Sequence, residues 1–126
     1  MTDDDMRDVL TRSFVAISSG DIEAVLGFYT DDSTGYEPGL PEPMRGLAQL
    51  RQFFEQLMGP FDHLCVIDDE VFTAENRAAV RWTGRGVSKS GKLVRFQGVD
   101  TYEFDDAGKI RNQWAYYDPA AVAAQL

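Results

Sequence analysis

Met6, Leu10, Ser13, Phe14 and Ile17 recur at spacings of three and four residues, the period of one helical face. Gly20 closes that helix, and Asp21 is placed to cap a second one. In the second helix Ile22, Val25, Leu26 and Tyr29 share a face, and Asp31-Asp32 end it in a turn. Thr34 to Tyr36 predict a short strand before the loop GYEPGLPEP at 35–43. Leu47, Leu50, Phe54 and Leu57 mark a third helix over 47–58, stopped by Gly59-Pro60. Beyond it the composition turns to Val, Phe, Trp, Tyr and Thr over 63–73, 77–88, 92–104 and 109–118. Turns at Glu75-Asn76, Ser90-Gly91 and Asp106-Ala107-Gly108 separate these predicted strands. Pro119 starts an alanine-rich tail with helical character.

Helices first and consecutive hairpins afterwards predict an α+β fold, with the helices packed on one face of an antiparallel sheet. The chain shows no repeat, low-complexity tract or linker, so residues 1–126 read as a single domain with one core.

Hydrophobic residues make up 44% of the chain, with eight Phe, five Tyr and two Trp, as in a globular protein. Twelve Lys and Arg stand against 21 Asp and Glu. The resulting charge of −9 repels nucleic-acid phosphates and anionic membranes, but not a neutral apolar ligand. Cys65 has no partner for an internal disulfide, and one His with one Cys does not make an ordinary zinc site. The glycines are scattered singly, so no phosphate-cradling loop is expected. The expectation is a protein without cofactor or metal. The acidic start MTDDDMRD and the lack of a membrane-spanning run point to a cytoplasmic location.

Candidate chemistry emerges from strand parity. In VRFQGVDTYEF, residues 94, 96, 98, 100, 102 and 104 are Val, Phe, Gly, Asp, Tyr and Phe. Asp100 therefore shares an otherwise apolar row, where a carboxylate must find donors or keep its proton. Glu37 sits between Tyr36 and Pro38 in a loop stiffened by three prolines. His63, the single histidine, is a reserve acid–base candidate at the start of a strand. Arg81, Arg85, Arg95 and Arg111 read as outward strand charges. Trp82, Phe96, Trp114, Tyr116 and Tyr117 are many aromatics for one small core. Some are expected to line a pocket and others to bury the outer sheet face in a dimer.

The stretches GDIEAVLGFYTDDSTGYEP, GLAQLRQFF and GVDTYEFDDAGKI resemble the ketosteroid isomerase-like, SnoaL-like branch of the nuclear transport factor 2-like superfamily. The resemblance runs over nearly the whole chain. It implies a cone-shaped, curved antiparallel sheet wrapped around the N-terminal helices, an apolar pocket, and often a homodimer. It also implies carboxylate acid–base chemistry on a small hydrophobic carbonyl substrate, as in the isomerases and polyketide cyclases.

Glu37, before Pro38, lands on the family's base position. Asp100, in Val99-Asp100-Thr101-Tyr102-Glu103-Phe104, lands on the position of its protonated oxyanion-hole acid. Tyr29 matches a supporting tyrosine, Phe54 replaces another, and Tyr117 falls near a pocket aromatic. Trp82 and Phe96 join the expected ligand-binding set. Ser13 stands where the family carries its catalytic tyrosine, a departure that thins the phenolic network. Its bland role is helix packing, with a bond back to a main-chain carbonyl. Two alternatives accompany this expectation: a non-catalytic module that binds a hydrophobic ligand, and a limonene-epoxide hydrolase-like enzyme, which would need an arginine beside Asp100.

Overall fold

The computed structural model describes all 126 residues. Helix α1 (Asp3–Ser18) starts with a capping box, in which Thr2 and Asp5 satisfy each other's main-chain N–H. Helix α2 (Ile22–Leu26) is a single short turn capped by Asp21, whose carboxylate accepts from the Ala24 N–H at 3.0 Å. Strands β1 (Tyr29–Tyr36) and β2 (Met44–Arg45) precede helix α3 (Gly46–Met58). Strands β3 (Phe61–Ala74), β4 (Arg77–Ser88), β5 (Leu93–Phe104) and β6 (Ile110–Tyr116) follow, then helix α4 (Pro119–Ala123).

The six strands form one curved, open sheet in the order β2-β1-β6-β5-β4-β3. Hairpins join β3 to β4, β4 to β5 and β5 to β6 in antiparallel register, as predicted. Ladder shifts after Phe61, Asp68 and Glu103 mark irregularities of the kind that bend a sheet. Helices α1 and α3 pack on the concave face, against β3 and β1. Between them lie Met6, Leu10, Phe14, Leu50, Phe54 and Val80, all buried.

The chain around Tyr29 departs from the sequence expectation. Tyr29 opens β1 instead of ending a helix, and Asp31 and Asp32 lie within that strand instead of in a turn. The Ile110 N–H donates to the Phe28 carbonyl at 2.8 Å, and Tyr29 pairs with Ile110. A strand remote in sequence thus takes the segment that local periodicity gives to a helix. The β1–β6 pairing is parallel, so the sheet is not antiparallel throughout.

The two sheet faces divide the aromatics. On β5 the even row faces inward, with Asp100, Tyr102 and Phe104 buried, as parity requires. On the convex side ladder partners carry Tyr36, Trp114, Thr101, Ala79 and Phe72 across five strands. Tyr36 stacks on Trp114 at 5.4 Å between ring centroids, and Phe72 and Tyr116 are exposed.

Glycines shape the concave face. A Cβ at Gly84 would sit 2.6–2.9 Å from the Phe96 ring. One at Gly98 would collide with the Tyr116 carbonyl oxygen and stand 2.7 Å from the Trp82 ring. Phe96 and Trp82 therefore lie directly over bare backbone of the neighbouring strand.

Candidate active site

One cavity opens between the concave sheet face and helices α1 and α3. Glu37 and Asp100 both line it, each 8% exposed. Alternation brings Glu37 inside, because Tyr36 before it turns outward onto Trp114. The loop beyond is held by a main-chain bond from the Leu40 N–H to the Glu37 carbonyl, and Gly39 takes φ +86° beside Pro119. Tyr36 pairs with Trp114 on β6, and Asp100 pairs with the next residue, Ala115. The carboxylates thus flank β6 across two strand spacings, about 10 Å between main chains.

Asp100 is held by two donors. The Trp82 indole N–H reaches Oδ1 and the Tyr102 hydroxyl reaches Oδ2, each at 3.0 Å. Tyr102 sits two residues along the same row, and Trp82 pairs with Gly98 on the adjacent strand. Burial raises the Asp100 carboxyl to about 6, while the Trp82 and Tyr102 bonds hold it down.

Glu37 is held more loosely. The Gln113 amide nitrogen lies 3.5 Å from its Oε2, and the Gln113 carbonyl accepts from the Tyr29 hydroxyl. The Tyr117 hydroxyl is its other partner. Burial, then the nearby Asp100 charge, pushes the Glu37 carboxyl up to about 9 against the bonds from Tyr117 and Gln113. Burial, and secondarily the two carboxylates, raise the phenols of Tyr29, Tyr102 and Tyr117, so they stay neutral donors.

The remaining wall is apolar. Trp82, Phe96 and Tyr117 form an aromatic triangle with centroid distances of 5.5, 5.7 and 6.4 Å. Phe54 packs against Tyr29 and Phe53 from α3. The free space at the centre is narrow, about 50 Å³, so a polycyclic ligand must displace half-buried side chains such as Phe53, Leu57 and Phe96. No group of three or more His, Cys, Asp and Glu is placed to hold a metal ion.

Of the residues picked from the sequence, Tyr29, Glu37, Phe54, Trp82, Phe96, Asp100 and Tyr117 meet at this cavity. Ser13 is buried on α1 but lies outside the cavity lining, where Phe14 and Ile17 take its place. His63 is exposed on the edge strand β3, also outside it. Arg81, Arg85, Arg95 and Arg111 are exposed and none lines the cavity. The Asp–Arg–Asp arrangement of an epoxide hydrolase therefore lacks its arginine here. Sequence reasoning missed Gln113 as a link between Tyr29 and Glu37, and Trp82 and Tyr102 as donors to Asp100.

Known proteins share this architecture. A candidate polyketide cyclase from Xanthomonas campestris pv. campestris superposes with a TM-score of 0.84 at 20% identity, over 97% of this chain and 96% of its own. TerC, co-crystallised with polyporic acid, gives 0.83 at 19% identity over 96% and 97%. An NTF2-like protein of unknown function from Exiguobacterium sp. 255-15 gives 0.76 at 17% identity over 88% and 98%. At such identities the likeness shows the fold alone. The family model for the SnoaL-like domain matches residues 10–113, and the chain belongs to that family.

Proposed function

We propose that this chain is a small cofactor-independent enzyme that moves a proton next to a carbonyl group of a hydrophobic substrate, in the manner of an isomerase or polyketide cyclase. The observation that carries the reading is the pair of buried carboxylates in one apolar cavity. One carboxylate takes a proton from the carbon beside the carbonyl. The other, protonated, donates a hydrogen bond to the enolate oxygen that forms. An apolar wall strengthens both interactions by excluding water. Structural likeness to a candidate polyketide cyclase and to a protein crystallised with polyporic acid supports a carbonyl-bearing substrate.

Glu37→Gln and Asp100→Asn are each expected to depress turnover of an enolisable polycyclic ketone by about a hundredfold or more. Full activity in both variants would refute the mechanism.

Ser13 favours a second reading, a non-catalytic module for a hydrophobic ligand, because no tyrosine hydroxyl enters the cavity from α1. Titration with a fluorescent phenolic steroid analogue separates the two. Preference for the ionised phenol indicates a working donor set, and indifference to its charge indicates plain apolar binding.

The protein is further proposed to act as a homodimer through the convex face. Tyr36, Phe72 and Tyr116 are 39%, 61% and 59% exposed on that one side, an apolar patch of the kind that marks an interface. No helix is long and apolar enough to cross a membrane.

A further inference from the structure

We infer that Asp100 is the carboxylate that works ionised, as the base, and that Glu37 carries the proton and donates it, the reverse of the roles the family resemblance implies. The inference rests on the acid–base reading above and assigns its two halves.

The donor sets decide it. An indole N–H has no lone pair and can only donate, so Trp82 fixes Asp100 Oδ1 as an acceptor. The Tyr102 hydroxyl is aimed at Oδ2, so both Asp100 oxygens are occupied by donors at 3.0 Å. Glu37 is held more weakly. Its bond from Gln113 is stretched to 3.5 Å although Tyr29 fixes that amide's orientation, and its other partner, the Tyr117 hydroxyl, can accept as well as donate.

The surroundings allow only one negative charge. β1 contributes the phenol of Tyr29, β5 contributes Tyr102, and the chain after β6 contributes Tyr117. Helices α1 and α3 present Phe14, Ile17, Phe53, Phe54 and Leu57. No Lys, Arg or His lines the cavity. Two carboxylates in an apolar space without a cation share a proton at neutral pH, and it resides where the donors hold the charged form most weakly. The carboxyl shifts, to about 9 for Glu37 and about 6 for Asp100, agree in direction.

The reaction then has a fixed orientation. The substrate's acidic C–H faces β5, and its carbonyl oxygen faces the loop after β1. Asp100 takes the proton, the C–H electron pair becomes a carbon–carbon double bond, the carbonyl π pair moves onto the oxygen, and the Glu37 hydroxyl donates a hydrogen bond to that oxygen. Return of the proton from Asp100 to another carbon restores both carboxyls without any redox change. Trp82 is a positioning residue, which keeps Asp100 ionised.

Side-chain carboxyl ¹³C resonances report this directly, assigned by their loss in Glu37→Gln and Asp100→Asn. Between about pH 6.5 and about pH 8.5 Glu37 is expected at the neutral-acid position and Asp100 at the ionised one. Asp100 neutral with Glu37 ionised, or both ionised, overturns the assignment. Trp82→Phe is expected to raise the Asp100 midpoint by about one unit or more, and Tyr102→Phe to do the same from the other oxygen. An Asp100 midpoint unmoved in every folded variant of this pair would reduce Trp82 and Tyr102 to packing and overturn the donor argument. Because the resonances do not depend on turnover, they stand even if the activity test fails. In that case the acid–base chemistry falls while the proton assignment remains.

Discussion

Glu37→Gln is expected to change how stability depends on pH. The folded Glu37 carboxyl titrates at about 9 against an ordinary value of 4.5. Below the ordinary value folded and unfolded chains are both protonated at this site, and the group imposes no penalty. As pH rises the unfolded chain loses the proton while the folded one keeps it, so stability falls until the folded value is passed. Asp100 has the same sign, but its window closes near its folded value of about 6. From about pH 6.5 to about pH 8.5 the slope therefore belongs to Glu37. One retained proton gives about 1.4 kcal/mol per pH unit, or about 3 kcal/mol over the window. That is a large share of the roughly 5–15 kcal/mol that holds a domain folded. Glutamine keeps the shape and removes the titration. The variant's urea midpoints, taken at fixed protein concentration, are expected to stay level across the window while those of the parent fall. Parallel curves for the two proteins would mean that Glu37 is already ionised in the folded state, and the burial argument would fail.

Other substitutions test the frame around the cavity. Gly98→Ala pushes a methyl group into the Tyr116 carbonyl and the Trp82 ring, and is expected to cost about 1–3 kcal/mol by urea denaturation. Tyr29→Phe leaves the Gln113 carbonyl without its donor and is expected to cost about 1–3 kcal/mol, read by thermal unfolding. Phe72→Glu places a charge on the exposed convex patch, and is expected to shift the protein from dimer to monomer in sedimentation velocity.

Local signals carried much of the fold. β4 occupies residues 77–88 as its turns and composition predict, and α3 begins one residue before the expected Leu47. Asp100 faces inward because strand alternation is a local geometric fact. Tyr29 was not legible in the same way. Its spacing from Ile22 and Leu26 fits a helix, and only the distant pairing with Ile110 makes it a strand residue. Gln113 was hidden by hydrophobicity itself. In NQWAY the aromatic row, Trp114 and Tyr116, looks like the buried one, yet it faces outward while Gln113 and Ala115 line the cavity. A rule that sends the greasier row inside fails where both faces of a strand are spoken for. Glu37 was nameable from Pro38, but the company it keeps inside the cavity was not, since Gln113 and Tyr117 reach it from β6 and beyond.

The bare backbone beneath Trp82 and Phe96 sets the depth of the cavity floor. Each ring rests where a neighbouring strand lacks a side-chain carbon, so the recess is hollowed as much by what Gly84 and Gly98 omit as by what its walls present. A methyl added at Gly84 would press the lining ring of Phe96 towards the centre and shrink the void, whereas one at Gly98 would meet the Tyr116 main-chain carbonyl as well as the Trp82 ring. Ligand size in this scaffold is thus adjustable from beneath the floor, with Glu37 and Asp100 unchanged in sequence.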